Sequence, residues 1–245
     1  MLEAVIFDMD GVIVDSHPVH REAWRTFLSA LDRPVSEAEL DFVLDGRKRG
    51  EILRHFFGEL SEAAMREYGE RKDEYFRQAS LQVKPVPGVL KFMRMLAHGG
   101  VALGVATSAS RSRTRNTLQN LGLLKQIRAI VTGDDVALGK PDPSIYARAC
   151  AELKVVPGNA LAVEDAVSGI QAARGAGLHC IGVASHQSPS KLKEAGAVHV
   201  VRDFLKLSMP RLERCLVPAP GPSRRGPTAR TLQRSLSARP GACSA

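Results

Sequence analysis

The chain has 245 residues, 44% of them hydrophobic, and a formal net charge of +8; that is room for one large or two modest globular domains. Five arginines (Arg224, Arg225, Arg230, Arg234 and Arg239) fall in residues 216–245, where no acid occurs, so the other 215 residues carry only +3 and the body lacks the strongly basic surface of a nucleic-acid binder. No apolar run approaches the ~20 residues of a membrane helix, and Cys150, Cys180, Cys215 and Cys243 form no CxxC pair, so neither a zinc cage nor a dense disulfide framework is suggested.

The first strand is expected over residues 3–7. It ends in FDMDG, which puts Asp8 and Asp10 two residues apart at the end of an apolar run, with Gly11 directly after. The N-terminus has no basic region and meets acid within ten residues, so no signal peptide is expected. With thiols read as reduced, the expected location is cytoplasmic.

Residues 16–83 carry helical signals and no convincing strand. Val19, Ala23, Trp24, Phe27, Leu28 and Leu31 recur at helical spacing, and His20 lies on the same stripe. Ser36 and Glu39 form a capping box before Leu40, Val43 and Leu44. Met65, Tyr68, Tyr75 and Phe76 belong to a further stripe, with Lys72 at its inward position. This segment reads as a helical cap inserted into a core made of residues 1–15 and 84–215. The connections fall near Val14–Ser16 and at Val83–Gly88, where Pro85, Pro87 and Gly88 suit a stiff hinge.

Strands are expected next at 101–106, 128–132, 160–163, 179–184 and 197–201. Helices are expected at 111–121, 143–153, 167–176, 188–195 and 203–213. Such alternation, with strands apolar throughout, implies an α/β fold: a Rossmann-like parallel sheet with helices on both faces. Residues 216–245, rich in Pro, Gly, Ser and Arg, cannot bury enough apolar surface to order themselves and read as a disordered tail.

In such a sheet the carboxyl ends of the strands open onto the ligand crevice. One strand end carries Asp8 and Asp10. A second runs into Thr107, Ser108, Ala109 and Ser110. A third leads to a loop holding Lys140, and a fourth carries Glu164 and Asp165. Singly, each has an ordinary explanation as a turn former, a helix cap or an exposed charge. Their joint occurrence at successive strand ends points to one site. Clustered carboxylates repel unless a cation joins them, and an oxygen-only ligand set suits Mg²⁺. Lys140 and the hydroxyls suit phosphate oxygens. Asp8 can then attack phosphorus, while Asp10 protonates the leaving oxygen and later accepts a proton from the next nucleophile.

The segments DMDGVIVDS, VATSAS, GKPDP and VEDAVSGIQAARGAG, in that order, resemble the four motifs of the haloacid dehalogenase-like superfamily. The insert after the first resembles the helical cap of the subfamily that includes β-phosphoglucomutase. The resemblance implies an aspartyl-phosphate on Asp8, with Asp10 as acid/base and its backbone carbonyl also on Mg²⁺. It implies Asp8, Glu164 and Asp165 as the other metal ligands, and Ser108, Ala109 and Lys140 on phosphate. It further implies substrate contacts from His20, Lys72, Ser110 and Arg111, and from Arg49 in DGRKRGE, where Arg47 keeps the register open. Dehalogenases of the superfamily lack an aspartate at the place of Asp10, so phosphoryl transfer is implied. The expected activity is a Mg²⁺-dependent phosphatase of a small phosphorylated metabolite of the sugar-phosphate class. The alternative is a β-phosphoglucomutase; a more remote one is binding of an anionic partner by the tail. A monomer is expected, without membrane or nucleic-acid partners.

Overall fold

The computed structural model describes residues 1–79 and 83–216. From the N-terminus, β1 (Ala4–Phe7) and β2 (Val14–Asp15) precede helices α1 (His17–Ser29), α2 (Glu37–Val43), α3 (Arg49–Phe57) and α4 (Glu62–Ala79). There follow β3 (Lys84–Pro85), α5 (Val89–His98), β4 (Ala102–Thr107), α6 (Arg111–Asn120), β5 (Ile127–Thr132) and α7 (Ser144–Leu153). The chain continues through β6 (Ala160–Glu164), α8 (Val167–Gly175), β7 (His179–Val183), α9 (Pro189–Glu194), β8 (His199–Val201) and α10 (Met209–Leu216). The tail from residue 217 onward lies outside the described residues, and Leu216 is the end of α10.

Six strands pair in parallel in the order β5-β4-β1-β6-β7-β8. This is the Rossmann-like sheet that the alternation implies. The chain winds from β1 out to β4 and β5, then returns to the other side of β1 for β6, β7 and β8. The reversal makes the carboxyl end of β1 the switch point where such sheets bind ligands. Register sets Phe7 level with Val105 and Val163, so the residues that follow emerge at one edge.

Side chains alternate across the sheet. Val5 and Phe7 join Val105, Val163 and Ile181 in a core closed by α5, α6 and α10. Ala4 and Ile6 face the other layer, where Ala102, Ala106, Ala160 and Ala162 keep the sheet surface low. Those small residues leave room for Ile145, Tyr146 and Ala149 of α7 and Ile170 and Ala173 of α8. A separate cluster of Trp24, Phe27, Leu28, Leu40, Ile52 and Leu53 holds α1–α3 together, with Tyr68 of α4 against it. The Ser36–Glu39 capping box starts α2. The two connections between these helices and the sheet pair with each other as β2 and β3, in the antiparallel register Val14↔Pro85 and Asp15↔Lys84.

The short strands β2 and β3 are absent from the sequence expectations, and two helices also differ. Helix α5 is absent from the sequence expectations, although Val89, Phe92, Met93 and Leu96 recur at helical spacing and are buried. The helix expected at 203–213 begins only at Met209. Pro210 tolerates only the first helical turn, and the residues before it are held otherwise: Phe204 N–H donates to Pro87 O and Leu205 N–H to Asp203 Oδ1. Cys150, Cys180 and Cys215 are free thiols. Among the described residues no helix is long and apolar enough to cross a membrane.

Phe27 is fully buried and meets Trp24, Phe57 and Tyr68 edge-on. Phe27→Ala is expected to destabilise the protein by about 3–5 kcal/mol in urea titration. Leu138→Ala, at a 63% exposed position, is expected to stay within about 0.5 kcal/mol of the parent.

Candidate active site

β1 delivers Asp8 to the sheet edge, and the turn after it places Asp10. Ile13 N–H and Val14 N–H both donate to Met9 O, and Gly11 closes the turn at φ +72°. That backbone region favours glycine. Space demands glycine here as well, since a Cβ at residue 11 would fall 1.9 Å from Asp165 Oδ2 and 2.2 Å from His17 Nε2.

Beneath Asp8 lies Lys140, 1% exposed. Its Nζ donates to Asp8 Oδ1 at 2.7 Å, to Glu164 Oε1 at 2.5 Å and to Ala106 O at 3.2 Å. Glu164 also accepts from Tyr146 OH at 2.9 Å and from the N–H groups of Asp165 and Ala166. Gly169 makes room for it, because a Cβ there would lie 2.0 Å from the carboxylate. Burial, opposed by Lys140 and reinforced by Glu164, Asp165 and Asp10, pushes the Asp8 carboxyl up to about 8. Burial works against the charge on Lys140, yet Asp8 and Glu164 raise its pKa above the usual lysine value.

Asp10 has the opposite environment. Arg113 grips both its oxygens, Nη1 to Oδ1 at 2.9 Å and Nη2 to Oδ2 at 2.5 Å. Ser16 Oγ donates to Oδ1 at 2.6 Å instead of capping α1, and His20 Nε2 lies 3.4 Å away. Burial opposes ionisation, but the Arg113 guanidinium holds this carboxyl well below the usual range. Arg113 also lies over the Phe76 ring. Lys72, buried between the Trp24 and Phe76 rings, has Nζ 3.2 Å from His20 Nδ1. Burial and the Arg113 charge lower Lys72 to about 8, and burial and Lys72 lower His20 to about 3.

Asp165 is surrounded on a third side. Its Oδ2 is 2.5 Å from His17 Nε2, accepts from Ser185 Oγ at 2.9 Å and is 3.1 Å from His186 Nδ1. Burial is outweighed by His17, and the Asp165 pKa is lowered; burial of His17 is likewise outweighed by Asp165, and its pKa is raised.

Asp8, Glu164 and Asp165 each offer an oxygen within 4.8 Å of the others, all three residues being buried. A donor set of oxygens alone fits a hard cation such as Mg²⁺.

These groups open into a cavity of about 210 Å³ roofed by the α1–α4 helices. Asp8, Asp10, Ser108, Ala109, Ser110 and Asp165 line the sheet side, whereas Lys140 and Glu164 lie beneath it. His20, Lys72, Arg47 and Arg49 line the opposite side. Both arginines reach the cavity, but Arg49 is paired with Asp73, while Arg47 stacks on Phe42 and keeps a buried Nε without a partner. Ser108 Oγ donates to Gly46 O at 2.5 Å and Lys48 Nζ to Val136 O at 2.8 Å, so the helices are seated on the sheet. Ser110 Oγ caps α6 by accepting from Arg113 N–H.

Arg111 does not reach the substrate side as expected. Its guanidinium pairs with Asp135 outside the cavity. Residues two apart on a helix differ by 200° in direction. With Ser110 as the cap, Arg113 rather than Arg111 turns toward Asp10. Sequence reasoning also missed His17 and His186. His186 follows the end of β7, where the strand-end rule already points; His17 stands one turn before His20 on α1, hence on the same face.

Residues 5–183 match the haloacid dehalogenase-like hydrolase family. The chain is 31% identical over 225 residues to the validoxylamine A 7'-phosphate phosphatase of Streptomyces hygroscopicus subsp. limoneus, covering 86% of this chain and 99% of that one. It is 35% identical over 209 residues to a phosphorylated carbohydrates phosphatase of Thermotoga maritima, covering 82% and 94%. The crystal structure of β-phosphoglucomutase from Clostridium difficile superposes with a TM-score of 0.79 at 25% identity, over 88% of this chain and 97% of that one. On the family match over residues 5–183 and the similarity to these relatives along most of its length, the chain belongs to the haloacid dehalogenase-like hydrolases and is an enzyme of phosphotransferase type.

Proposed function

We propose that this enzyme is a Mg²⁺-dependent phosphatase of a small sugar phosphate and works through an aspartyl-phosphate on Asp8. The observation that carries the reading is Asp8 itself. It stands at the floor of a cavity faced by Arg47, Lys72 and Arg113, with Lys140 bonded beneath it. Cations above and below one buried carboxylate suit a dianionic phosphoryl group better than a neutral ligand. The cavity admits a small metabolite, and two relatives that span most of the chain are named phosphatases of phosphorylated carbohydrate-like compounds.

In this reading Asp8 Oδ attacks phosphorus as the bond from phosphorus to the sugar oxygen breaks, and Asp10 gives that oxygen its proton. Asp10 then takes a proton from the water that attacks the phosphoryl group, which frees Asp8 and releases phosphate. Asp8, Glu164 and Asp165 would hold Mg²⁺, which supplies charge neutralisation for the phosphoryl oxygens. Lys140 keeps Asp8 oriented and offsets part of its charge. Arg113 loosens its hold on Asp10 before that carboxyl can carry a proton, and the anionic substrate gives the guanidinium another partner.

A second reading, β-phosphoglucomutase, is favoured by the His20–Lys72 pair and Arg49 on the cavity wall opposite Asp8. A sugar turning over between two phosphoryl transfers needs such contacts far from the first phosphate. The two readings part in a panel of hexose phosphates assayed for free phosphate and for isomer. Free phosphate is expected. Conversion of β-glucose 1-phosphate to glucose 6-phosphate without release would replace the first reading by the second, and turnover of none would remove both.

Asp8→Asn is expected to lower turnover by roughly three orders of magnitude or more, with a far-ultraviolet spectrum like that of the parent. Activity within tenfold of the parent would exclude covalent catalysis at Asp8.

The raised Asp8 pKa gives a signed stability effect. Between its unfolded value near 3.8 and its folded value of about 8 this carboxyl binds more protons folded than unfolded, so the metal-free protein loses stability as pH rises through that window. His17, also raised, acts in the same direction. Mg²⁺ binds the ionised carboxylates, so its stabilisation is expected to grow over the same range. Thermal melting of chelator-treated protein, with and without Mg²⁺, is the measurement; a Mg²⁺ shift in Tm that shrinks toward pH 8 contradicts the assignment.

A further inference from the structure

The reaction above leaves two imidazoles without a task, His17 buried and His186 partly buried. His17 begins α1 and His186 follows β7, so they reach Asp165 from different units of the fold. Their rings stand 4.0 Å apart between centroids. His17 Nε2, His186 Nδ1 and Ser185 Oγ all converge on the single oxygen Asp165 Oδ2.

One carboxylate oxygen has two lone-pair sites. Ser185 and His17 fill them, and His186 is the surplus donor. Both its nitrogens are buried without a hydrogen-bond partner, although its side chain is only 10% exposed. Nδ1 is aimed at the carboxylate but lacks the alignment of a bond. A buried, unpartnered ring nitrogen costs free energy, and a cation placed among the three ligand atoms removes that cost. His17 Nε2, His186 Nδ1 and Asp165 each present one ligand atom within 4.8 Å of the others. The missing side chain of Gly11 keeps the space beside Asp165 Oδ2 and His17 Nε2 open.

We propose that His17, His186 and Asp165 form a second cation site, distinct from the oxygen-only carboxylate set, that takes a zinc-class divalent ion. Two imidazoles and one carboxylate are the donor set for a borderline ion and a poor set for Mg²⁺. Three protein ligands leave one position of a tetrahedral ion open. Bonds of ~2.0–2.1 Å place tetrahedral ligand atoms about 3.3 Å apart. The His186–Asp165 separation of 3.1 Å is close to that, and the His17–Asp165 contact opens from 2.5 Å as the ion replaces the shared proton. Asp165 belongs to both sets, which makes the two sites neighbours through one side chain.

Co²⁺ serves as the visible probe. The full chain, stripped with chelator and held in excess Mg²⁺, is titrated with Co²⁺. One equivalent is expected to bind with the intense ligand-field absorption of a low-coordinate site, and Zn²⁺ is expected to abolish that absorption. His17→Gln and His186→Gln are each expected to weaken binding at least tenfold. Cobalt that binds with weak octahedral absorption and is indifferent to both substitutions sits among the carboxylates and overturns the proposal, as does no binding at all. The wild-type chain provides a readout free of any folding defect. Zinc is expected to shift the imidazole ¹⁵N resonances of two histidines, and unmoved resonances overturn the assignment. None of these outcomes depends on phosphatase activity.

Discussion

A lysine ammonium enclosed between two carboxylates organises this molecule. Lys140 arrives on the loop after β5, Asp8 on β1 and Glu164 on β6, so three strand connections meet at one Nζ atom. Desolvating three charges is unfavourable, and only good geometry offsets it. The geometry is supplied from all sides: Tyr146 of α7 and two backbone N–H groups complete Glu164, and Gly169 stands back to admit it. Withdrawing Lys140 leaves two buried carboxylates facing each other without a cation.

Around this centre, two carboxylates from one turn acquire opposite character. Asp8 shares its surroundings with Glu164 and Asp165, which oppose its ionisation. Asp10 looks toward Arg113, which enforces it. The distance along the chain is two residues; the difference lies in which elements face each side chain. Titratable neighbours pushed apart in this way are what acid–base chemistry requires of a pair. Both sides of the cavity mix the two signs: Asp8, Asp10 and Asp165 stand with Arg113 on the core side, and Lys72, Arg47 and Arg49 with Asp73 on the helix side.

The sheet was legible because its signal is local. Val5 to Phe7, Leu103 to Ala106 and Leu161 to Val163 are short apolar runs that could be little else, and rules of winding then fix where their ends meet. The residues at those ends, Asp8, Asp10, Lys140, Glu164 and Asp165, followed. Less was legible where a side chain's direction depends on helix register. Arg111 and Arg113 differ only by one step past the Ser110 cap, and that step sends one to Asp135 and the other to Asp10. His17 and His186 lie far apart in sequence, and no local pattern joins them; only the packing of α1 against the end of β7 does. Arg47 and Arg49 show a third limit, since both reach the cavity and differ in their partners, Asp73 for Arg49 and Asp45 with the Phe42 ring for Arg47.

The short ribbon of β2 and β3 has a mechanical consequence. Its two strands are the only described covalent crossings between helices α1–α4 and the sheet, and they are bonded to each other. Such a paired crossing joins the helices to the sheet along a single line. Ser16 sits at the end of that leaf with its hydroxyl 2.6 Å from Asp10 Oδ1, whereas Asp8 is anchored in the sheet by Lys140. Asp10 is therefore tied to the helices through Ser16 and to the sheet unit through Arg113 of α6, so it is the aspartate that joins the two sides of the ribbon, while Asp8 answers to the sheet alone.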